Sequence, residues 1–210
     1  IGIDNLVVKA NGDELPILDG SAKNWIEAFD EAGIVDQEAH REYVVCRGTE
    51  FKKGASSFIY TPAKRLSIAC AVDFPDTPIG TQSIVYEHTE TNYRSQIASA
   101  RTFLRSPTDN IRSEFDRLKI LRLVEQGKIE TPVIIYSKSQ IVTPLRYPDE
   151  PVRHKLLDFI GDIMTAGRIP IGEYEITRPG HQANLDFLSH LMSLSNEKGI
   201  HDNEPPASTI

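Results

Sequence analysis

Three ionisable side chains recur at four-residue spacing within EPVRHKLLDFIGD, residues 150–162: His154, Asp158 and Asp162. Positions four apart share one face of a helix, so these side chains form a single polar stripe. An imidazole nitrogen and a carboxylate oxygen in such a stripe can both reach one zinc ion. Solvated helix faces carry the same spacing, which by itself favours an exposed surface over a metal site. A catalytic zinc also needs a third protein ligand.

His181 is the histidine outside the stripe whose position best suits chemistry. It follows a Pro-Gly break in RPGHQAN, where a strand is predicted to end and a helix to begin. Such a junction can present the ring to a cleft, and an imidazole that titrates near neutrality can act as a general acid. On position alone, a structural role is the commoner alternative. We expect solvated or structural roles for the remaining histidines, His40, His88, His190 and His201.

The polar stripe requires a helix, and the sequence predicts one from about Val152 to Ala166. Its apolar residues recur at helical spacing and should pack inward. They are Val152, Leu156, Phe159, Ile160 and Ile163.

The rest of the chain predicts strands first and helices later, with turn residues between them. Residues 42–74 contain three strand-like runs separated by Gly, Lys and Pro, which fits an antiparallel meander. This order predicts an α+β fold, a two-layer sandwich of mixed or antiparallel sheet with helices. The other predicted strands are 1–10, 15–18, 131–137 and 172–180, and the other predicted helices are 19–33, 89–103, 109–128 and 181–194.

Composition excludes several classes of function. The 210 residues are 40% apolar and 25% charged, as in a globular protein with a core. A net charge of −7 argues against a nucleic-acid partner. We find neither a run of about 18 apolar residues nor a secretory signal. Cys46 and Cys70 are too few for a disulfide framework, so we expect buried, reduced thiols in a cytoplasmic protein. We also expect a monomer.

Four short motifs occur together in this chain: ELPILDGSA (14–22), ASARTF (98–103), EPVRHKLLDFIGD (150–162) and PGHQAN (179–184). Their order and spacing resemble the UDP-3-O-acyl-N-acetylglucosamine deacetylase family, up to about residue 194. The resemblance implies two similar α+β domains with the active site between them. Residues 1–38 would end the first domain, 41–194 would form the second, and 195–210 would be a disordered tail.

The resemblance implies zinc-dependent removal of the N-acetyl group from UDP-3-O-acyl-N-acetylglucosamine, a step of lipid A biosynthesis. His154 and Asp158 match two of the family's three zinc ligands. His181 matches the histidine that serves as general acid or electrostatic stabiliser, and Asp162 the carboxylate that orients it. Zinc would polarise the amide carbonyl and activate water, and the cationic histidine would protonate the departing amine.

Three further residues take roles from the same resemblance. Thr102 matches the threonine that hydrogen-bonds the oxyanion, and Lys155 the lysine that faces the substrate beside the zinc. Phe103, which follows Thr102 directly, either lines the passage that takes the acyl chain or packs in the core.

The chain also departs from the family's pattern. The third zinc ligand and the general base form an adjacent Glu-His pair, which residues 1–40 lack. We therefore expect the C-terminal two-thirds of a deacetylase, N-terminally incomplete and inactive alone. Residues 103–132 also lack the family's Gly-Gly-Ser-like turn, which leaves acyl specificity open. The alternatives are a non-catalytic relative that binds a sugar nucleotide or acyl chain, and a zinc hydrolase of another N-acetyl sugar.

Overall fold

The structure of the protein is a computed structural model. It describes residues 1–13, 15–39, 43–105, 133–136, 141 and 143–195. The short helix Glu90–Asn92 continues directly into a π-helical turn, Tyr93–Ile97. The helices are α1 (Lys23–Ala32), α2 (Glu90–Asn92), α3 (Glu150–Met164) and α4 (His181–Ser193).

Within the described residues, nine strands form one five-stranded sheet and two short pairs. The sheet order is β2-β3-β9-β4-β5, and the parallel pairs are β1 with β8 and β6 with β7. The strands are β1 (Tyr43–Val44), β2 (Thr49–Lys53), β3 (Ser56–Thr61), β4 (Ser67–Phe74), β5 (Gly80–Glu87), β6 (Phe103–Arg105), β7 (Ile134–Tyr136), β8 (Ile169–Pro170) and β9 (Glu173–Thr177).

Strand β9 lies between β3 and β4, so the predicted antiparallel meander is wrong. Ile176 of β9 pairs antiparallel with Phe58 of β3 and parallel with Cys70 of β4. Tyr174 and Ile176 are each 1% exposed, and a strand with such a buried face is stable at the centre of a sheet. The meander prediction assumed that neighbours in sequence pair in space. The late strand instead brings the start of α4 to the sheet's centre.

Helices α3 and α4 pack against each other and cover one face of the sheet, which confirms the α+β prediction. The rings of Phe58 and Phe187 stack with centroids 4.7 Å apart, and Phe159 meets Tyr174 edge-on at 5.5 Å. The predicted apolar face of α3 is confirmed, and its residues are at most 5% exposed. The helix begins two residues earlier than predicted and ends two earlier.

The strands predicted at residues 1–10 and 15–18 are wrong, because both segments are irregular. No described strand lies beside either of them to complete a ladder, and Val7 is 83% exposed. Leu18 and Gly20 have φ angles of 52° and 77°, which turns the chain into the DGS motif. The prediction that Gly33 ends α1 is confirmed by its φ of 86°.

The two cysteines are free and buried, as predicted. Burial raises the pKa of the Cys46 thiol to about 11, which keeps it protonated. No helix among the described residues is long and apolar enough to cross a bilayer. Several predictions fall outside the described residues: the helix at 109–128, the segment without the Gly-Gly-Ser-like turn, His40, His201 and the tail beyond residue 195.

Candidate active site

The polar stripe of α3 is buried at its first two positions. The side chains of His154 and Asp158 are only 9% and 10% exposed, and Nε2 of His154 lies 3.3 Å from Oδ1 of Asp158. The interpretation of the stripe as an ordinary solvated face is therefore wrong for this pair. The helix places both residues on one side, as their four-residue spacing requires.

A backbone carbonyl orients the ring of His154. Its Nδ1 lies 3.0 Å from the carbonyl oxygen of Ala100, and a carbonyl can only accept a hydrogen bond. The hydrogen of the neutral ring is therefore on Nδ1, and the Nε2 lone pair faces Asp158. Metal-binding histidines commonly show this arrangement, with the second ring nitrogen held by a carbonyl.

The pair of His154 and Asp158 fits a metal cation. A neutral imidazole and a carboxylate present two electron-pair donors to each other, which repel unless a proton or a metal ion lies between them. Burial lowers the pKa of His154 and outweighs the opposing effect of the Asp158 charge. A divalent cation can join two such donors by taking an electron pair from each. Imidazole nitrogen with carboxylate oxygen is a donor set that zinc accepts.

Lys155 balances the charge of Asp158. Its Nζ donates to Oδ2 of Asp158 at 2.8 Å and lies 5.5 Å from the centroid of the Phe103 ring. That ring also meets His154 at 6.3 Å and packs edge-on against Phe74 at 5.5 Å. Phe103 therefore lies beside the pair of His154 and Asp158, and both of its predicted roles stay open.

His181 lies at the start of α4, across from the carboxylates of α3. Its Nδ1 is 3.0 Å from Oδ2 of Asp162, and its Nε2 is 3.9 Å from Oδ2 of Asp158. The side chain is 65% exposed, whereas that of Asp162 is 16% exposed. The Pro-Gly break after β9 leaves the ring projecting from the first position of the helix, with one nitrogen held and the other near Asp158.

Asn184 holds Asp162, and the sequence reasoning missed it. Its side chain is fully buried, with Nδ2 donating to Oδ2 of Asp162 at 2.8 Å. Its Oδ1 accepts a hydrogen bond from the backbone N–H of Gly180 at 3.2 Å. A signal was present in the sequence, because the residue precedes Phe187 and Leu188 by three and four positions. An asparagine on the apolar face of a helix is a buried polar group that must find partners.

Thr102 lies at the entrance to β6, between the DGS turn and β7. Its N–H donates to the carbonyl of Gly20 at 2.8 Å, and its carbonyl accepts from Ile134 at 2.7 Å. It is two residues beyond Ala100, whose carbonyl contacts His154. The chain thus brings Thr102 and Phe103 to the same side of α3 as His154 and Asp158.

No group of three or more His, Cys, Asp or Glu side chains converges to hold a metal within the described part of the chain. His154 and Asp158 are two donors of the types that zinc accepts. A metal ion with a closed protein coordination needs a further ligand.

Comparison with known proteins identifies similar chains. The sequence model of a family described as "LpxC: UDP-3-O-acyl N-acetylglycosamine deacetylase" matches residues 1–193. Three curated proteins, each named UDP-3-O-acyl-N-acetylglucosamine deacetylase, match most of the chain.

The protein of Thermosynechococcus vestitus is 35% identical over 187 residues, 89% of this chain and 63% of its own length. That of Myxococcus xanthus is 35% identical over 196 residues, 92% of this chain and 60% of its own length. That of Nautilia profundicola is 34% identical over 193 residues, 91% of this chain and 64% of its own length. The chain thus spans less than two thirds of the length of each relative.

Proposed function

Because the chain belongs to the UDP-3-O-acyl-N-acetylglucosamine deacetylase family, we propose that it carries catalytic residues of a zinc-dependent deacetylase acting on that nucleotide sugar. Membership confirms the family expected from the four motifs. The proposal for the activity depends on one observation, the convergence of the His154 Nε2 lone pair and the Asp158 carboxylate in a buried position.

In this proposal His154 and Asp158 hold the zinc ion, with a further ligand contributed from outside the described residues. When bound, zinc supplies a Lewis acid that polarises the amide carbonyl and activates water for attack. Lys155, 2.8 Å from Asp158, reduces the cost of burying the carboxylate and presents a cation to the substrate.

His181 acts as the general acid. Asp162 binds its Nδ1, so that Nε2 is the atom available to give a proton to the departing amine. The 65% exposure of the His181 side chain leaves room for a substrate to approach, while Asn184 keeps Asp162 in place from the buried side. The general acid therefore has a fixed orientation and an open approach.

Thr102 and Phe103 would contact the substrate. The Thr102 hydroxyl would donate a hydrogen bond to the oxygen that becomes negatively charged when the amide carbonyl is attacked. The Phe103 ring, beside His154 and Lys155, would provide an apolar wall for the acyl chain. Both proposals draw on the match to the family's residues and on the position of β6 beside α3.

We further propose that the reaction belongs to lipid A biosynthesis and takes place in the cytoplasm, where the two buried thiols stay reduced. We also propose that the enzyme is a monomer. The chain alone should bind zinc weakly and turn over no substrate, because two ligands from one helix leave the coordination incomplete.

The test is a chain extended upstream with the residues encoded there. It should contain a Glu-His pair, bind one zinc ion per chain and release acetate and a free amine from UDP-3-O-acyl-N-acetylglucosamine. His154→Ala should lose both zinc and activity, whereas His190→Ala, which removes a ring that contacts Thr49 on the far side of α4, should keep both. Absence of zinc, or activity unchanged in His154→Ala, would exclude the proposal.

One observation favours a second function, the binding of an acyl chain without catalysis. A cavity of about 440 Å³ lies on another face of α3, within the size range of ligand pockets of about 300–1,000 Å³. Its walls include Trp25, Phe29, Ile160 and Met164, and none of His154, Asp158 and Asp162 lines it. This function predicts that the extended chain binds the substrate's acyl group but does not deacetylate it with zinc present.

A further inference from the structure

The peptide unit between Ala100 and Arg101 is held at both ends by α3. Its carbonyl oxygen, on Ala100, lies 3.0 Å from Nδ1 of His154. Its N–H, on Arg101, donates to Oε1 of Glu150 at 3.0 Å. Glu150 and His154 are four residues apart, so one turn of a single helix grips the two polar groups of one peptide bond.

A peptide bond is planar, so its C=O and N–H cannot turn independently. When Glu150 fixes the direction of the Arg101 N–H, it also fixes the direction of the Ala100 carbonyl. That carbonyl in turn determines which nitrogen of His154 carries the hydrogen. The orientation of the ring therefore depends on a carboxylate that does not touch it.

Glu150 is itself held by an extensive set of hydrogen bonds. Its Oε1 accepts from Nε of Arg101 at 2.9 Å, and its Oε2 accepts from Nη2 of Arg101 at 3.2 Å and from the N–H of Arg146 at 2.6 Å. The side chain of Arg101 is 5% exposed and that of Glu150 is 0% exposed. Arg101 Nη2 also donates to the carbonyl of Pro144 at 2.6 Å.

Stability alone is a weak reason for this ion pair. A buried salt bridge often contributes no more than a well-packed apolar pair of similar size, because both charges lose their hydration. Its hydrogen bonds do, however, set a unique geometry for the segment that precedes Thr102. The pair thus specifies orientation where an apolar pair would only fill space.

We propose that Glu150, through its ion pair with Arg101, is a positioning residue that fixes the Ala100–Arg101 peptide and thereby holds His154 in the Nδ1–H form, with Nε2 free for a metal ion. The meaning of this for catalysis rests on the proposed zinc site. The orientation of the His154 ring does not depend on that site, since it can be measured in the chain without metal.

The test is ¹⁵N NMR of the imidazole of His154 in the metal-free chain at about pH 8, above the usual pKa of histidine. The wild-type ring should show a protonated Nδ1 and an unprotonated Nε2. Glu150→Gln places an amide N–H₂ among donors, so the ring should become a mixture of the two neutral forms. Tyr60→Phe is the matched control, since it removes a buried hydroxyl that contacts Cys46 and Ile171 far from this segment; it should keep the wild-type form.

If Glu150→Gln fails to fold, the double variant Glu150→Leu with Arg101→Met replaces the ion pair by apolar groups of similar size. It leaves the N–H groups of Arg101 and Arg146 without the carboxylate, so circular dichroism first checks that it is folded. It also should show mixed ring forms. A folded variant of either kind that retains the wild-type Nδ1–H signal overturns the proposal.

A second measurement separates this inference from the deacetylase proposal. In the extended chain, Glu150→Gln should weaken zinc binding by about 10- to 100-fold, as is usual for the loss of a group that orients a ligand, with Tyr60→Phe unchanged. Should the extended chain bind no zinc at all, the deacetylase proposal fails, while the NMR result still decides the role of Glu150.

Discussion

Nε2 of His154 lies 3.3 Å from Oδ1 of Asp158, and both side chains are at most 10% exposed. The Nδ1–H of the ring donates to the Ala100 carbonyl. Nε2 and Oδ1 therefore face each other as two electron-pair donors. A buried arrangement of this kind is favourable when a cation lies between the donors. The relationship makes α3 the element on which the proposed chemistry depends.

Zinc added to the chain should bind Nε2 of His154 and not Nδ1. We expect the Nε2 resonance to shift during a zinc titration followed by ¹⁵N NMR, while Nδ1 keeps its hydrogen bond to Ala100. Asp158→Asn should weaken the apparent affinity, because the amide lacks the negative charge of the carboxylate ligand. Asp186→Asn, which changes a carboxylate paired with Lys53, is the control and should leave the titration unchanged. A shift at Nδ1 would contradict the assigned geometry.

Loss of the Asn184 amide should destabilise the fold near the site. In Asn184→Ala the N–H of Gly180 and one oxygen of Asp162 lose a buried partner. We expect the free energy of unfolding to fall by about 1–3 kcal/mol in urea denaturation. Gln182→Ala, two residues earlier and exposed, should change it by less than about 0.5 kcal/mol. Equal effects in the two variants would show that Asn184 contributes no more than an exposed amide.

Acid should weaken the contacts of the DGS turn. Burial alone would raise the pKa of Asp19, but hydrogen bonds from Arg146 and Ser21 outweigh it and lower the pKa below the usual value of about 3.9. A lowered pKa in the folded state gives stability that is present above the unfolded pKa and is lost as the pH falls through the folded one.

The free energy of unfolding of Asp19→Asn should therefore lie below that of the wild type near neutral pH and approach it as the pH falls below about 4. Urea denaturation across this range measures the difference. Asp13→Asn, at an exposed position, provides the control. A difference that stays constant with pH would mean that the charge of Asp19 does not stabilise the fold.

Two glycines should respond to alanine in opposite directions. At Gly172 an added Cβ would lie 2.2 Å from Cε2 of Tyr60 and 2.8 Å from the carbonyl oxygen of Thr61. The backbone there cannot yield easily, so Gly172→Ala should lower the free energy of unfolding by about 1–3 kcal/mol or more. At Gly161, inside α3, nothing lies within 4 Å, and Gly161→Ala should raise it by about 0.5–1 kcal/mol. Thermal or urea unfolding measures both, and the same sign for the two would contradict these packing distances.

The sequence alone predicted the elements that have strong periodicity. The apolar stripe of α3, the final helix after the Pro-Gly break and the strand at β9 are set by local spacing, which the fold then uses. The spacing of His154, Asp158 and Asp162 also determined that they share a face. The motifs identified the family, because residue types at given distances along the chain are a property of the sequence.

Only the tertiary structure decided which segments that are distant in the chain pair with each other. Residues 1–10 have a strand-like composition but no described neighbour strand, and β9 entered the sheet between two strands that adjoin in sequence. Pairing depends on which surfaces the whole fold leaves free, and no local pattern records that.

The burial of the candidate site has the same origin. Spacing could not distinguish a solvated stripe from a buried one, because exposure depends on what packs against the helix. The segment that covers His154 arrives from about fifty residues earlier and brings the Ala100 carbonyl and the Arg101–Glu150 ion pair with it. The sequence therefore determined that the three side chains share a face of the helix, and the tertiary structure decided that His154 and Asp158 are buried, oriented and 3.3 Å apart.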